Sequence, residues 1–118
     1  MHLVPAERAE HRIIDPARVC QAIEGLGDPA GATAWARRFA LLGDPTRLRI
    51  LLCIKAAGPI SVSDLAVAAG LSDVTVSQTL RFLRASRTVT TERDGRVIRY
   101  QLHDALIGTL LGQVSSPV

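Results

Sequence analysis

Residues 72–102 join a helical pattern to a hairpin pattern. Val76, Leu80 and Leu83 recur at i, i+4 and i+7, so they share one apolar face of a predicted helix. The opposite face carries polar and cationic side chains of the kind that hydrogen-bond to base edges and phosphates. The residues of this helix that we predict to contact nucleic acid are Ser72, Asp73, Thr75, Ser77, Gln78, Arg81 and Arg84.

The second half of this stretch is predicted to be a β-hairpin. Asp94-Gly95 lies between two runs rich in β-branched residues, and a type I′ turn there needs a positive φ at both central residues. The cross-strand pairs predicted from this turn are Arg93–Arg96, Thr91–Ile98 and Val89–Tyr100. Arg93 and Arg96 would then stand together at the tip. Since like charges in such a pair repel each other, we expect a polyanionic partner for them.

Asp-Pro pairs mark the starts of the preceding helices. Asp is a good N-cap and Pro suits the first helical position, so each pair predicts a helix start. The pairs are Asp15-Pro16, Asp28-Pro29 and Asp44-Pro45, and the predicted helices span 15–25, 30–42 and 45–57.

A short helix is predicted just before the polar-faced one. Ser61 and Asp64 have the spacing of a capping box, Gly70 ends the helix, and Ser72 caps the next. Two helices joined by a short turn that contains glycine form a helix-turn-helix. With the hairpin as its wing, the predicted fold is mainly α with a β-hairpin wing, a winged helix-turn-helix.

The charge distribution favours the same stretch. The chain carries a net charge of +3, and residues 31–118 hold eleven Lys and Arg against six acids, whereas residues 1–30 hold three against five. A basic surface of this kind is expected of a nucleic-acid-binding protein, although charge alone fits a solvated surface equally well. Two cysteines, no apolar run of about 20 residues and no leader-like N-terminus predict a reduced cytoplasmic protein without a membrane partner.

We predict a flexible arm over residues 1–14 and a single DNA-binding domain over 15–118, which dimerises through its first and last helices. The last helical pattern, residues 104–114, is apolar over a broad face, and helix-turn-helix proteins usually read two half-sites. The alternative is that this helix only covers the core of its own protomer. The residues that we predict in a homodimer interface are Trp35, Phe39, Leu106, Leu110, Leu111 and Val114.

Four segments resemble, in order, the ArsR/SmtB family of bacterial repressors. Residues 40–51 include Asp44-Pro45-Thr46-Arg47 and resemble the family's signature, and residues 62–66 resemble the helix before the turn. Residues 74–84 and 92–102 resemble the recognition helix and the wing. The resemblance covers about residues 30–113. It implies a homodimeric repressor that binds an inverted repeat of double-stranded DNA, its operator, and is released by an inducer, most often a metal ion.

The sequence departs from the family at its usual metal ligands. Where many members have Cys-x-Cys, this chain has Ser61-Val62-Ser63, and Leu106 stands where a His is expected after Asp104. Neither common metal site is therefore intact. A transition metal such as zinc or nickel stays a candidate ligand whose protein donors are unknown. The candidate donors are Cys20, Cys53, His2, His11 and His103, although the sequence favours packing for both cysteines and helix capping for Asp104.

Functions other than repression are the alternatives for this sequence. A winged-helix module that binds only proteins would show no salt-sensitive binding to a duplex. A regulator that responds to a non-metal or redox signal would use the same fold with another inducer. The sequence has no phosphate-binding loop, no nucleophile beside a placed His and no paired carboxylates at useful spacing. We therefore predict that the chain is not an enzyme.

Overall fold

A computed structural model describes residues 12–114 and divides into two compact units, the first ending at Phe39 and the second beginning at Ala40. The arm predicted over residues 1–14 lies almost wholly outside the described residues, as do His2 and His11. The helices are α1 (Pro16–Leu26), α2 (Pro29–Leu42), α3 (Pro45–Ala57), α4 (Val62–Ala69), α5 (Asp73–Ala85) and α6 (Ala105–Val114). The strands are β1 (Ile60–Ser61), β2 (Val89–Asp94) and β3 (Val97–Leu102).

The first unit contains α1 and most of α2, and each of these helices begins at one of the predicted Asp-Pro pairs. The Asp15 carboxylate accepts the backbone N–H of Arg18 at 3.2 Å and pairs with its guanidinium at 2.9 Å. In α2 the rings of Trp35 and Phe39 lie 5.8 Å apart, one helical turn from each other. Phe39 is 57% exposed, so its ring is not part of a protomer core.

The second unit begins its helices with the same capping chemistry. The Asp44 carboxylate accepts the backbone N–H of Arg47 at 2.9 Å at the start of α3. The Ser61 hydroxyl accepts the N–H of Asp64 at 3.3 Å at the start of α4. Gly70 ends α4 in the left-handed conformation (φ 69°, ψ 38°), which glycine adopts without steric cost. The predicted helix-turn-helix is therefore confirmed as α4, a short turn and α5.

The strands form an antiparallel sheet in the order β1-β3-β2. The two-residue turn between β2 and β3 is Gly95-Arg96, because Asp94 still pairs with Val97. Gly95 has φ 62° and Arg96 has no positive φ, as in a type II′ turn. The pairing predicted between Arg93 and Arg96 is therefore wrong.

The inner face of the hairpin accounts for this register. Val89 lies opposite Leu102 and Thr91 opposite Tyr100, so each β2 residue pairs two positions further along β3 than predicted. A shift of two residues keeps every side chain on its original face, whereas a shift of one would reverse them all. The register thus brings Leu102 to the buried Val89, a contact that the predicted pairing lacks.

The core of the second unit lies between its helices and the sheet. Its buried residues are Leu41, Ile50, Leu51, Ile54, Leu65, Ala66, Val76, Leu80, Leu83, Val89, Ile107 and Leu111. Leu111 is fully buried in this core, so its predicted place in a dimer interface is corrected. Leu106 and Val114 remain 45% and 57% exposed, and Leu110 is half-buried.

Candidate DNA-binding site

Helix α5 presents one apolar and one polar face. Val76, Leu80 and Leu83 are fully buried, as the sequence predicts. The polar residues on the outward face are exposed, and they are Asp73, Ser77, Gln78, Arg81 and Arg84. In a helix-turn-helix the second helix enters the major groove, so α5 holds the position of a recognition helix.

The first turn of α5 uses two predicted contact residues as structural groups. The Ser72 hydroxyl accepts the backbone N–H of Thr75 at 3.1 Å and lies 2.9 Å from the Thr75 hydroxyl. Thr75 is half-buried, and its carbonyl accepts the Thr79 hydroxyl at 2.8 Å. Asp73 is exposed in this turn, where a carboxylate interacts favourably with the helix dipole.

The wing carries exposed arginines at and near its turn. Arg96 is part of the turn itself, and Arg93 precedes it on β2, where it faces Ile98 across the hairpin. Both are exposed, and neither pairs with an acid of residues 12–114. Arg99, in contrast, pairs with Asp94 at 3.0 Å.

An open groove separates the second half of α5 from the wing. It has a volume of about 600 Å³ and is lined by Ser77, Arg81, Arg84, Ala85 and Tyr100. A smaller groove of about 400 Å³ adjoins it at Arg84 and extends past Arg87 to His103. The structure thus brings three of the predicted contact residues on α5 to the side that faces the wing.

The segment between α5 and β2 fixes the wing to the recognition helix. Thr88 is buried; its N–H donates to the carbonyl of Leu83 at 2.9 Å, and its carbonyl accepts the N–H of His103 at 2.9 Å and of Asp104 at 3.3 Å. Arg87 has φ 60°, the one positive φ of a residue other than glycine within residues 12–114. Such a conformation costs an ordinary residue about 1 kcal/mol.

Three residues on or beside α5 were not predicted as site residues. Val74 is 66% exposed on the same side as Gln78 and Arg81. Phe82 is 45% exposed, and the guanidinium carbon of Arg47 lies 4.0 Å from the centre of its ring. The helical periodicity of the sequence contained a signal for two of them, because Val74 and Phe82 also fall on the outer face of the predicted helix.

Two positions that correspond to the family's usual metal ligands cap helices in this structure. Ser61 and Asp104 use their side-chain oxygens as helix caps, Asp104 accepting the N–H of Leu106 at 3.0 Å and of Ile107 at 3.2 Å. Within residues 12–114 no group of three or more His, Cys, Asp or Glu could hold an ion, and Cys20 and Cys53 do not form a disulfide with each other. No helix in this part of the chain is long and apolar enough to cross a membrane.

Comparison with known proteins agrees with this geometry. Residues 42–89 match a family of helix-turn-helix domains. The transcriptional regulator NmtR of Mycobacterium tuberculosis is 38% identical over 86 residues, 73% of this chain and 71% of that protein. A transcriptional repressor, the SmtB homologue of Synechocystis sp., is 38% identical over 84 residues, 71% of this chain and 63% of its own length. The repressor BigR of Xylella fastidiosa has a TM-score of 0.67 and 27% identity, over 83% of this chain and 97% of its own.

The fold and the exposed polar face of α5 define a winged-helix DNA-binding regulator. The chain belongs to the ArsR/SmtB family of transcriptional repressors. This confirms the family resemblance and the predicted fold, including its wing.

Proposed function

We propose that the chain represses transcription as a homodimer, with α5 of each protomer in the major groove of one operator half-site and the wing on the flanking backbone. An inducer then releases the dimer from the DNA. A repressor of this kind acts in the cytoplasm, where it reaches the chromosome. Gln78 and Arg81 are the proposed base-contacting residues, with Ser77 and Arg84 beside them.

The observation that carries the proposal is the excess of arginine on α5 and the wing. Residues 72–102 contain six arginines against three acids, a surplus equal to the net charge of the whole chain. Of the acids, Asp94 is paired with Arg99. Arg81, Arg84, Arg93 and Arg96 are exposed and form no ion pair with any acid of residues 12–114. Phosphates neutralise cations of this kind and release counterions, so such a surface favours DNA.

The dimensions of α5 support its insertion. Its 13 residues span about 20 Å at 1.5 Å per residue, enough for one groove crossing. An α-helix with side chains is about 10–12 Å wide and the major groove about 12 Å wide, so the helix fills the groove. The arginines on its flanks then come close to the phosphates that border it.

The proposed dimer uses the exposed edge of α6. Leu106 and Val114 are exposed and Leu110 is half-buried beside the core residues of the same helix. Burying these side chains in a second copy would remove apolar area from water. The involvement of Trp35 and Phe39 in α2 is a separate prediction.

The test measures binding of the full chain to a duplex of the region upstream of its own gene, over a series of salt concentrations. We expect tight binding whose affinity falls steeply with salt, and Arg96→Ala should reduce the slope of log affinity against log salt by about 0.9 per protomer. Lys55→Ala removes an exposed charge at the end of α3 and serves as the control, with an unchanged slope. Binding that does not respond to salt would contradict the proposal and favour a protein-interaction module.

A further inference from the structure

The contact between Arg47 and Phe82 joins the start of α3 to the recognition helix. The guanidinium carbon of Arg47 lies 4.0 Å from the centre of the Phe82 ring. At this distance the two form a cation–π contact. Phe82 remains 45% exposed and Arg47 is half-buried, so the contact lies at the surface.

The stacked guanidinium keeps its hydrogen-bonding capacity. An arginine that stacks on an aromatic ring uses the face of its planar group, while its five N–H donors point outwards in the plane. Arg47 forms no side-chain hydrogen bond and no ion pair with any group of residues 12–114. The Asp44 carboxylate accepts its backbone N–H instead. The ring thus fixes the position of a guanidinium whose donors have no acceptor among residues 12–114.

Arg47 lies on the side of α5 that faces away from the wing. The groove next to the wing is lined by Ser77, Arg81 and Arg84. At 100° per residue, Phe82 lies about 160° around the helix axis from Arg84. Arg47 therefore borders α5 on the flank away from the wing, beside Gln78, which is one turn before Phe82.

A helix that fills the major groove has a phosphate backbone along each flank. The wing arginines serve one of these backbones in the proposed function. On the flank next to Gln78, α5 itself carries only neutral side chains, because Arg81 and Arg84 lie towards the wing. Arg47 is the cation that the structure holds there.

We propose that Arg47, held by Phe82, binds a backbone phosphate on the side of the major groove opposite the wing. The recognition helix is thereby anchored from both flanks, and Phe82 acts as a positioning residue for Arg47. The inference rests on the proposed function and assigns a DNA contact outside the recognition helix and the wing.

The test compares Arg47→Ala with Arg49→Ala on the same upstream duplex. Arg49 lies on the same helix, but its guanidinium Nη1 donates to the carbonyl of Ala69 at 3.3 Å at the end of α4, so it is a structural arginine of equal charge. We expect Arg47→Ala to reduce the slope of log affinity against log salt by about 0.9 per protomer. When salt is raised from about 50 to about 200 mM, the loss of affinity should then be about 3.5-fold smaller per half-site in the variant than in the wild type. Arg49→Ala should leave the slope unchanged and lower only the denaturation midpoint.

A second substitution tests the role of the ring. Phe82→Leu keeps an apolar side chain but removes the stacking surface, so it should weaken DNA binding in the wild type and have no further effect in Arg47→Ala. Additive effects of the two substitutions would show that Phe82 does not act through Arg47. A salt slope in Arg47→Ala equal to that of the wild type would overturn the inference, while the flatter slope of Arg96→Ala would leave the proposed function standing. If the wild type itself showed no salt-sensitive binding to the duplex, the proposed function would be overturned instead.

Discussion

The hydroxyl of Ser72 lies 2.9 Å from that of Thr75 and also accepts the Thr75 N–H at 3.1 Å. The two side chains are therefore hydrogen-bonded to each other at the first turn of the recognition helix. The polar residues of this turn shape the site by fixing where the helix begins, and the free donors for DNA lie further along it, from Ser77 onwards.

Replacing Ser72 with Ala should destabilise the fold by about 1 kcal/mol, because the N–H of Thr75 loses its capping acceptor. Urea denaturation followed by circular dichroism measures this change in the free energy of unfolding. Ser77→Ala is the control, since Ser77 is exposed on the same helix and Ala has the higher helix propensity. Equal destabilisation by both substitutions would contradict the capping role.

Gln78→Ala should relax sequence preference at one base pair per half-site, by about 1–3 kcal/mol, because Gln can form a bidentate contact with adenine. The measurement is affinity for a set of duplexes that each carry one base-pair substitution. Gln113→Ala, an exposed glutamine on α6, is the matched control. A uniform loss across all duplexes would show that Gln78 contacts phosphate or sugar instead of a base.

Val74 should contact the methyl group of a thymine, because it is an exposed apolar side chain on the face of α5 that carries Gln78. Replacing that thymine with uracil removes one methyl group and should weaken wild-type binding by about 0.8 kcal/mol, or about fourfold. Each thymine of a duplex that was selected for binding to the wild-type protein is replaced in turn. The loss should vanish in Val74→Ala and persist in Val67→Ala, an exposed valine of α4. No sensitive thymine in the wild type would refute the contact.

Arg87→Gly and Arg84→Gly should change stability in opposite directions. Arg87 has φ 60°, which glycine adopts freely, so glycine there should stabilise the fold by about 1 kcal/mol. Arg84 lies within α5, where glycine should cost about 1 kcal/mol. Both remove one exposed arginine, so the comparison of unfolding free energies cancels the loss of charge. Two shifts of the same sign would contradict the assigned backbone strain.

The double substitution Leu106→Glu and Val114→Glu should dissociate the proposed dimer. Burying carboxylates in an apolar interface should cost about 3 kcal/mol, which raises the dissociation constant about 100-fold. Sedimentation equilibrium of the full chain measures the change. Val67→Glu is the control, because Val67 is exposed on α4 outside the proposed interface. A wild type that is monomeric at all concentrations tested would refute the dimer itself.

Helix starts were predictable from sequence because capping chemistry is local. Asp44 and Ser61 accept the N–H three residues later, as their spacing predicted. The hairpin register was not predictable in this way. The Asp94-Gly95 pair favoured one turn by propensity, whereas the contact of Val89 with Leu102 and the pairing of β3 with β1 determine another. The two-residue strand β1 is too short to show an alternating pattern.

The division of α6 into inner and outer residues also lay outside the sequence pattern. Leu106, Leu110 and Leu111 are equally apolar, and only packing against α3 shows that Leu111 is the core residue. The stacking of Arg47 on Phe82 was hidden for a similar reason, because the two residues are 35 positions apart and meet only when α3 packs beside α5.

The carbonyl of Thr88 accepts the N–H groups of both His103 and Asp104, and its own N–H donates to the last turn of α5. Opening the backbone at this one residue would therefore release the end of the recognition helix and the start of α6 in the same event. In hydrogen–deuterium exchange, the amides of Thr88 and His103 should accordingly lose protection at the same rate, and more slowly than the amides of the exposed turn at Gly95 and Arg96.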